Sequence, residues 1–353
     1  VAIEHLHHVK WEIPKKMTYW FTYLTILIIA LALGGKLLHF WHRTNRAWRV
    51  NLTLSCLAIF LTCMSLEFYF KVFFAQSDAF RYTLASQNWY DRYWQENSLG
   101  YRDRDWTAAD LKDKIKVMVV GDSFVAGSGI ANPSDRFANQ LGRLLGNDYA
   151  VMVVASPGWD TGDEIKAITT YPYKPNVLIL SYYLNDIEGT AYATGAQRPP
   201  IRQDPPVWLA PLVDNSYAFN FLYWRWIRLG PQEWAQIYWE DWLKKIYADP
   251  NIRWRHQQEL LKIAQGAASE KISLFVVVFP NMAAVQESQA MTQPIIELFE
   301  KQHVPILDVA TLVAGRSSQN ITVNGVDAHP NEMVNLLVAQ RLFEMIKQQT
   351  NVK

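Results

Sequence analysis

The stretch Lys116-Val-Met-Val-Val-Gly121-Asp122-Ser123-Phe-Val-Ala-Gly127-Ser-Gly129 decides the fold. Four consecutive apolar residues without alternation read as a strand buried on both faces, the mark of a parallel sheet covered by helices. Gly121 bounds that strand, and Ser123 follows at a strand-to-helix turn that presents its hydroxyl above the sheet edge. Four more runs of the same kind come after it: Ala150–Ala155, Asn176–Tyr182, Ile272–Phe279 and Val304–Asp308. Amphipathic segments between them predict helices over 135–145, 255–268, 293–301 and 332–348. Alternating strands and helices predict a three-layer α/β/α sandwich around a five-stranded parallel sheet, flavodoxin-like in its layering. In such folds ligands gather at the carboxyl ends of the strands.

The Ser/Gly turn after the first strand is tested against three known patterns. A phosphate-binding Walker loop ends in Gly-Lys-Ser/Thr, whereas Gly127 is followed by Ser128. A dinucleotide fingerprint needs Gly-x-Gly-x-x-Gly, which is not present here. The Gly-x-Ser-x-Gly elbow also fails, because Phe124 and Val125 directly follow Ser123. Three further segments sit at later strand ends. Ser156-Pro157-Gly158-Trp-Asp-Thr161 follows the second strand and Tyr183-Leu184-Asn185-Asp186 the third. Asp327-Ala328-His329-Pro330-Asn331-Glu332 opens the last helix. In this order the four segments resemble the SGNH hydrolases, the Gly-Asp-Ser-Leu esterase and lipase superfamily, over about residues 95–350.

The chemistry explains why these residue types are needed. A serine hydroxyl is a poor nucleophile at neutral pH and requires an adjacent base. Beyond the N-terminal region the histidines are His256, His303 and His329, and His329 alone stands in the expected loop before the last helix. Asp327 would orient its imidazole and stabilise the cation. The resemblance implies Ser123 as nucleophile, His329 as base and Asp327 as orienting acid. It assigns the oxyanion hole to the backbone N–H groups of Ser123 and Gly158 and the side chain of Asn185. Asp122 receives no catalytic role from it. Two departures from the family pattern stand out. Its usual Asp-x-x-His spacing would place the acid at Val326, whereas Asp327 is two residues before His329. Its usual Gly-x-Asn-Asp begins here with Tyr183, which is expected on the pocket rim.

Working outward, the first 76 residues carry eight basic and three acidic side chains, a net of +5, while the rest carry 26 basic and 30 acidic, a net of −4. The whole chain of 353 residues is thus near neutral at +1. Two long apolar segments lie in the basic part, about residues 17–38 and 50–72. Each is long enough to supply the roughly 20 residues that span a bilayer. With flanking Lys15 and Lys16 and with Trp20, Trp41 and Trp48 suited to interfaces, they predict a two-helix transmembrane hairpin. The stretch from Lys36 to Arg49 holds four basic residues and no acid, which is expected to place it in the cytoplasm and the large domain outside, on the periplasmic or extracytoplasmic side. Cys56 and Cys63 read as small packing residues of the second span. His5, His7 and His8 lack partners at ligand spacing and read as a solvated tail.

Residues 77–115 are polar and aromatic, a linker expected to pack on the domain that follows (116–353). Residues 190–251 form an aromatic-rich insertion in that domain, with packing on the domain, a lid, a carbohydrate groove and a bilayer contact all open to it. Near-neutral charge excludes a nucleic-acid partner, and two cysteines exclude a disulfide framework. Neither a metal nor a cofactor is expected. The expectation is a membrane-anchored serine ester hydrolase or O-acyltransferase acting through an acyl-Ser123 intermediate, on an acyl ester of cell-surface polysaccharide or glycolipid. The alternative is a non-catalytic SGNH-fold subunit of a membrane protein complex.

Overall fold

In the computed structural model, which describes residues 46–79, 81–198, 205–229 and 234–350, the apolar runs form the expected parallel sheet. Strand β1 (Ile115–Gly121) lies between β2 (Tyr149–Ala155) and β3 (Val177–Tyr182). The sheet continues through β4 (Ser273–Val278) to β5 (Ile306–Asp308), giving the order β2-β1-β3-β4-β5. All four pairings are parallel. Register sets the site: Gly121 pairs with Ala155 and Val120 with Leu180, so the turns leaving β1, β2 and β3 start level with one another. Val117, Met118, Val119 and Val120 have no exposed surface. Burying each such side chain is worth roughly 1.5–3 kcal/mol, which is why an unalternated apolar run settles between two helical layers.

The helices follow local signals. Asp249 caps the helix Pro250–Ser269 by accepting from the N–H groups of Asn251 and Ile252, with Pro250 in the first turn where its missing N–H costs nothing. One helix departs from expectation. It spans Val285–Glu300 and begins well before Gln293, carrying Pro294 in its interior. Met291, Ile295, Ile296 and Phe299 are buried along it, and that packing outweighs the hydrogen bond which proline removes.

The described residues form two compact units, one of residues 46–75, 82–88 and 205–229, the other of 76–79, 81, 89–198 and 234–350. The second contains the sheet. In the first, the helix Arg46–Val72 has 27 residues, a mean hydropathy of 1.7 in its best window, and none of that window buried. At 1.5 Å per residue it is about 40 Å long, enough to cross a membrane. The other expected span, residues 17–38, lies outside the described residues, so the two-helix hairpin and its orientation rest on sequence alone.

Residues 205–229, expected with the α/β domain as part of its insertion, group instead with the apolar helix. Glu67 accepts hydrogen bonds from the Ser216 hydroxyl (2.8 Å) and from the N–H groups of Tyr217 (2.9 Å) and Ala218 (3.1 Å). It thereby caps the helix Tyr217–Leu229, whose N-terminus favours a negative charge. Phe70 stacks on Phe221 at 4.5 Å. The Asn88 amide donates to the carbonyls of Phe70, Lys71 and Phe74, which the end of an α-helix leaves unpaired. An aromatic helix needs an apolar partner, and this one finds it at the end of the apolar helix.

Candidate active site

Asp122 starts the turn after β1. Its Oδ1 accepts from the Phe124 N–H (2.9 Å) and caps the short helix Ser123–Ala126. Gly127 ends that helix at φ +73°, and a Cβ there would stand 2.4 Å from Cδ of Arg136. No other residue fits that position without displacing its neighbours. The turn is further held by Arg102, a buried side chain from the segment read as linker. Its guanidinium donates to the carbonyls of Gly127 (2.7 Å), Tyr93 (2.8 Å) and Ile130 (2.8 Å). Burial pulls the Arg102 guanidinium down to about 9. Sequence reasoning missed this residue, since a single arginine in a polar stretch carries no pattern.

His329 and Asp327 lie not in a loop but on strand β7 (Asp327–Pro330), which pairs antiparallel with β6 (Thr322–Asn324). This corrects the expected pre-helix loop and explains the unusual spacing, because residues i and i+2 of a strand share a face. His329 Nδ1 is 2.6 Å from Asp327 Oδ1, and the His329 backbone N–H donates to that same oxygen at 3.1 Å. On the other side of the ring, Nε2 is 2.8 Å from Ser123 Oγ. Asp327 is 1% exposed and His329 8%. Burial alone would raise the Asp327 carboxyl, but the charge on His329, with hydrogen bonds from His329 and Ser77, holds it below the usual carboxylate value. Burial likewise opposes charge on His329, yet Asp327, with a further contribution from Asp122, holds the imidazole above its ordinary value. Ser77, which the sequence did not flag, donates its hydroxyl to the second oxygen of Asp327.

The residues expected around an oxyanion occupy neighbouring strand ends. Gly158 stands at φ +81° in the exposed loop after β2. Asn185 lies in the turn after β3 and donates from Nδ2 to the Trp159 carbonyl at 2.9 Å, tying the two loops together. Tyr183, expected on the rim, is buried: its ring stacks on Phe124 at 4.0 Å, and Phe124 in turn lies 5.1 Å from the His329 ring. The aromatic pair thus backs the imidazole.

A group of buried acids accompanies Asp122. Burial pushes Asp122 up to about 6. It pushes Glu164 and Asp186 well above ordinary carboxyl values, with repulsion from Asp122, Asp160 and Asp163 adding to the effect at Glu164 and repulsion from Glu164 and Asp122 adding to it at Asp186. Neither oxygen of Glu164 has a hydrogen-bond partner among the described residues, which fits a protonated, neutral acid. Of the other histidines, His256 is buried against Tyr182 with its charge disfavoured by burial, and His303 sits in the turn before β5. Among the described residues, no three His, Cys, Asp or Glu are placed to hold a metal ion.

The site is therefore a hydroxyl, an imidazole and a carboxylate in one hydrogen-bonded row at the carboxyl edge of a parallel sheet. No protein-family model matches the chain, and no curated protein matches it. Among solved structures it is similar to TesA, at 15% identity over 66% of this chain and 98% of that one, with a TM-score of 0.41. It is similar to the lipase/acylhydrolase from Enterococcus faecalis at 13% identity over 66% of this chain and 96% of that one, TM-score 0.41. A member of the lipolytic protein G-D-S-L family from Veillonella parvula matches at 12% identity over 65% and 96%, TM-score 0.38. These are distant likenesses, and the chemistry of the site rests on its own contacts.

Proposed function

We propose that this chain is a membrane-anchored serine ester hydrolase of the SGNH type, acting through an acyl-Ser123 intermediate. One observation carries the reading: Ser123 Oγ, His329 Nε2, His329 Nδ1 and Asp327 Oδ1 are linked by contacts of 2.8 and 2.6 Å. Ser123 Oγ attacks the ester carbonyl while Nε2 takes its proton, and Asp327 holds the resulting imidazolium. The carbonyl oxygen gains negative charge beside the N–H groups of Ser123 and Gly158 and one amide proton of Asn185, each such donor typically worth about 3 kcal/mol. The alcohol departs with the proton from His329, leaving acyl-Ser123. An incoming hydroxyl then gives its proton to Nε2 and attacks the acyl carbon, and the C–Oγ bond breaks as Nε2 returns that proton to Ser123 Oγ, which restores the free serine and the neutral imidazole. If that hydroxyl is water the reaction is hydrolysis, and if it belongs to a sugar it is O-acyl transfer. The apolar helix Arg46–Val72 supports placing this chemistry at a membrane; acylated carbohydrate or glycolipid outside the cytoplasm is the substrate we propose, on the family resemblance and on the basic stretch Lys36–Arg49.

Labelling of the detergent-solubilised protein by a fluorophosphonate, lost in Ser123→Ala, is the expected result. Folded protein that takes no label would overturn the reading in favour of a scaffold subunit. Turnover of p-nitrophenyl acetate with and without oligosaccharide acceptors then separates hydrolysis from transfer, since only transfer yields acetylated oligosaccharide.

A further inference from the structure

Asp327 serves His329 with one oxygen, Oδ1, which takes both the ring and the backbone N–H of that residue. Its other oxygen lies in the same buried environment, where an unpaired carboxylate oxygen is costly and leaves the group free to turn. From the geometry at that oxygen we infer that Ser77 is a positioning residue of the catalytic row. This rests on the serine hydrolase reading above. Ser77 is 250 residues away in sequence, 1% exposed, and donates its hydroxyl to Asp327 Oδ2. A second bond fixes Ser77 itself: Asn324 Nδ2, on strand β6 of the same hairpin, donates to the Ser77 carbonyl at 3.1 Å. Segment and hairpin therefore exchange two hydrogen bonds of opposite sense, which sets the plane of the carboxylate.

The turn that carries the nucleophile closes on the same oxygen. Gly129 stands at φ +82°, and a Cβ there would lie 3.0 Å from Asp327 Oδ2. Besides Ser77 and His329, Asp122 acts on the ring of His329, and the phenol of Tyr90 is the titratable group near Asp327, with Arg81 3.6 Å over its ring and Asp78 beside it. Ser77 lies five residues beyond Val72, the last residue of the apolar helix. The part of the chain that leaves the anchor thus supplies the group that steadies the catalytic acid.

The test is kinetic, with the full-length protein in detergent and p-nitrophenyl acetate as substrate. Ser77→Ala is expected to lower kcat about tenfold with KM within twofold. Losing the hydroxyl dipole also concentrates charge on Asp327 and favours the imidazolium, so the acid limb of kcat/KM moves to higher pH. Ser77→Thr, which keeps a hydroxyl, should restore both. Where the alanine variant does not fold, the near-isosteric pair Ser77→Thr and Ser77→Val carries the comparison. Equal rates and equal pH limbs in a folded hydroxyl and non-hydroxyl variant overturn the role of Ser77. Wild-type protein without fluorophosphonate labelling would instead sink the hydrolase reading itself, so the two failures are distinct.

Discussion

Ser123 Oγ and His329 Nε2 meet at 2.8 Å across 206 residues of sequence, one at the end of β1 and the other on β7. The pair is useful only while Nε2 is free to accept a proton. Asp327 raises the imidazole above its ordinary value of about 6.5 by outweighing burial. The acid limb of kcat/KM is therefore expected above that value, with activity lost as pH falls and His329 takes up its proton. A pH–rate profile with p-nitrophenyl acetate measures it, and a limb near the usual carboxylate range would mean that another group is the base.

Asp327→Asn keeps the shape but removes the charge that supports the imidazolium. Rates should fall roughly a thousandfold or more, and the acid limb should move down, because the contact that raised the imidazole has been neutralised. Steady-state kinetics on the purified variant decide this, and a rate within threefold of wild type would assign the ring's orientation to the backbone instead.

Glu164 yields a stability prediction with a definite sign. Its carboxyl is raised by burial, so the folded state keeps a proton that the unfolded chain gives up near its ordinary value of 4.5. Stability from this group is complete below that pH and declines as pH rises toward the folded value, by at most about 1.4 kcal/mol per pH unit. Gln has no proton to lose. The difference in Tm between Glu164→Gln and wild type should therefore grow in favour of the variant from pH 5 to pH 8, and a constant difference would show that Glu164 is ionised in the folded protein.

Glu67 stands near the end of an apolar helix for a structural reason, as the cap on Tyr217–Leu229. Glu67→Ala should cost about 1 kcal/mol of local stability and speed proteolytic cleavage within residues 205–229. Unchanged cleavage kinetics in detergent micelles would show that the aromatic contacts hold this helix without the cap.

The strands were legible because Val117–Val120 and most of its counterparts are short unalternated apolar runs, which settle as strands buried on both faces. Ser123, Gly158 and Asn185 were legible as residue types after three successive strands, and His329 as the histidine shortly before the last helix. What escaped was held by contacts without local pattern. Ser77 and Arg102 sit in a polar, aromatic stretch where neither alternation nor helical period marks them, and each acts on a partner distant in sequence or on backbone carbonyls. Asp-Ala-His-Pro has no strand signature, so β7 becomes visible only through its pairing with β6. The helix Tyr217–Leu229 has an aromatic composition that would suit several apolar partners, and composition does not say which one it takes.

Strand β7 also reverses an intuition about sequence motifs. Adding one residue between Asp327 and His329 would bring the written sequence closer to the familiar spacing. On an extended strand the same edit would turn the carboxylate to the opposite face and strand the imidazole without its acid. Likeness on the page and geometry in space are separate properties here, and a search tuned to letter spacing would discard this hydrogen-bonded row while accepting a broken one.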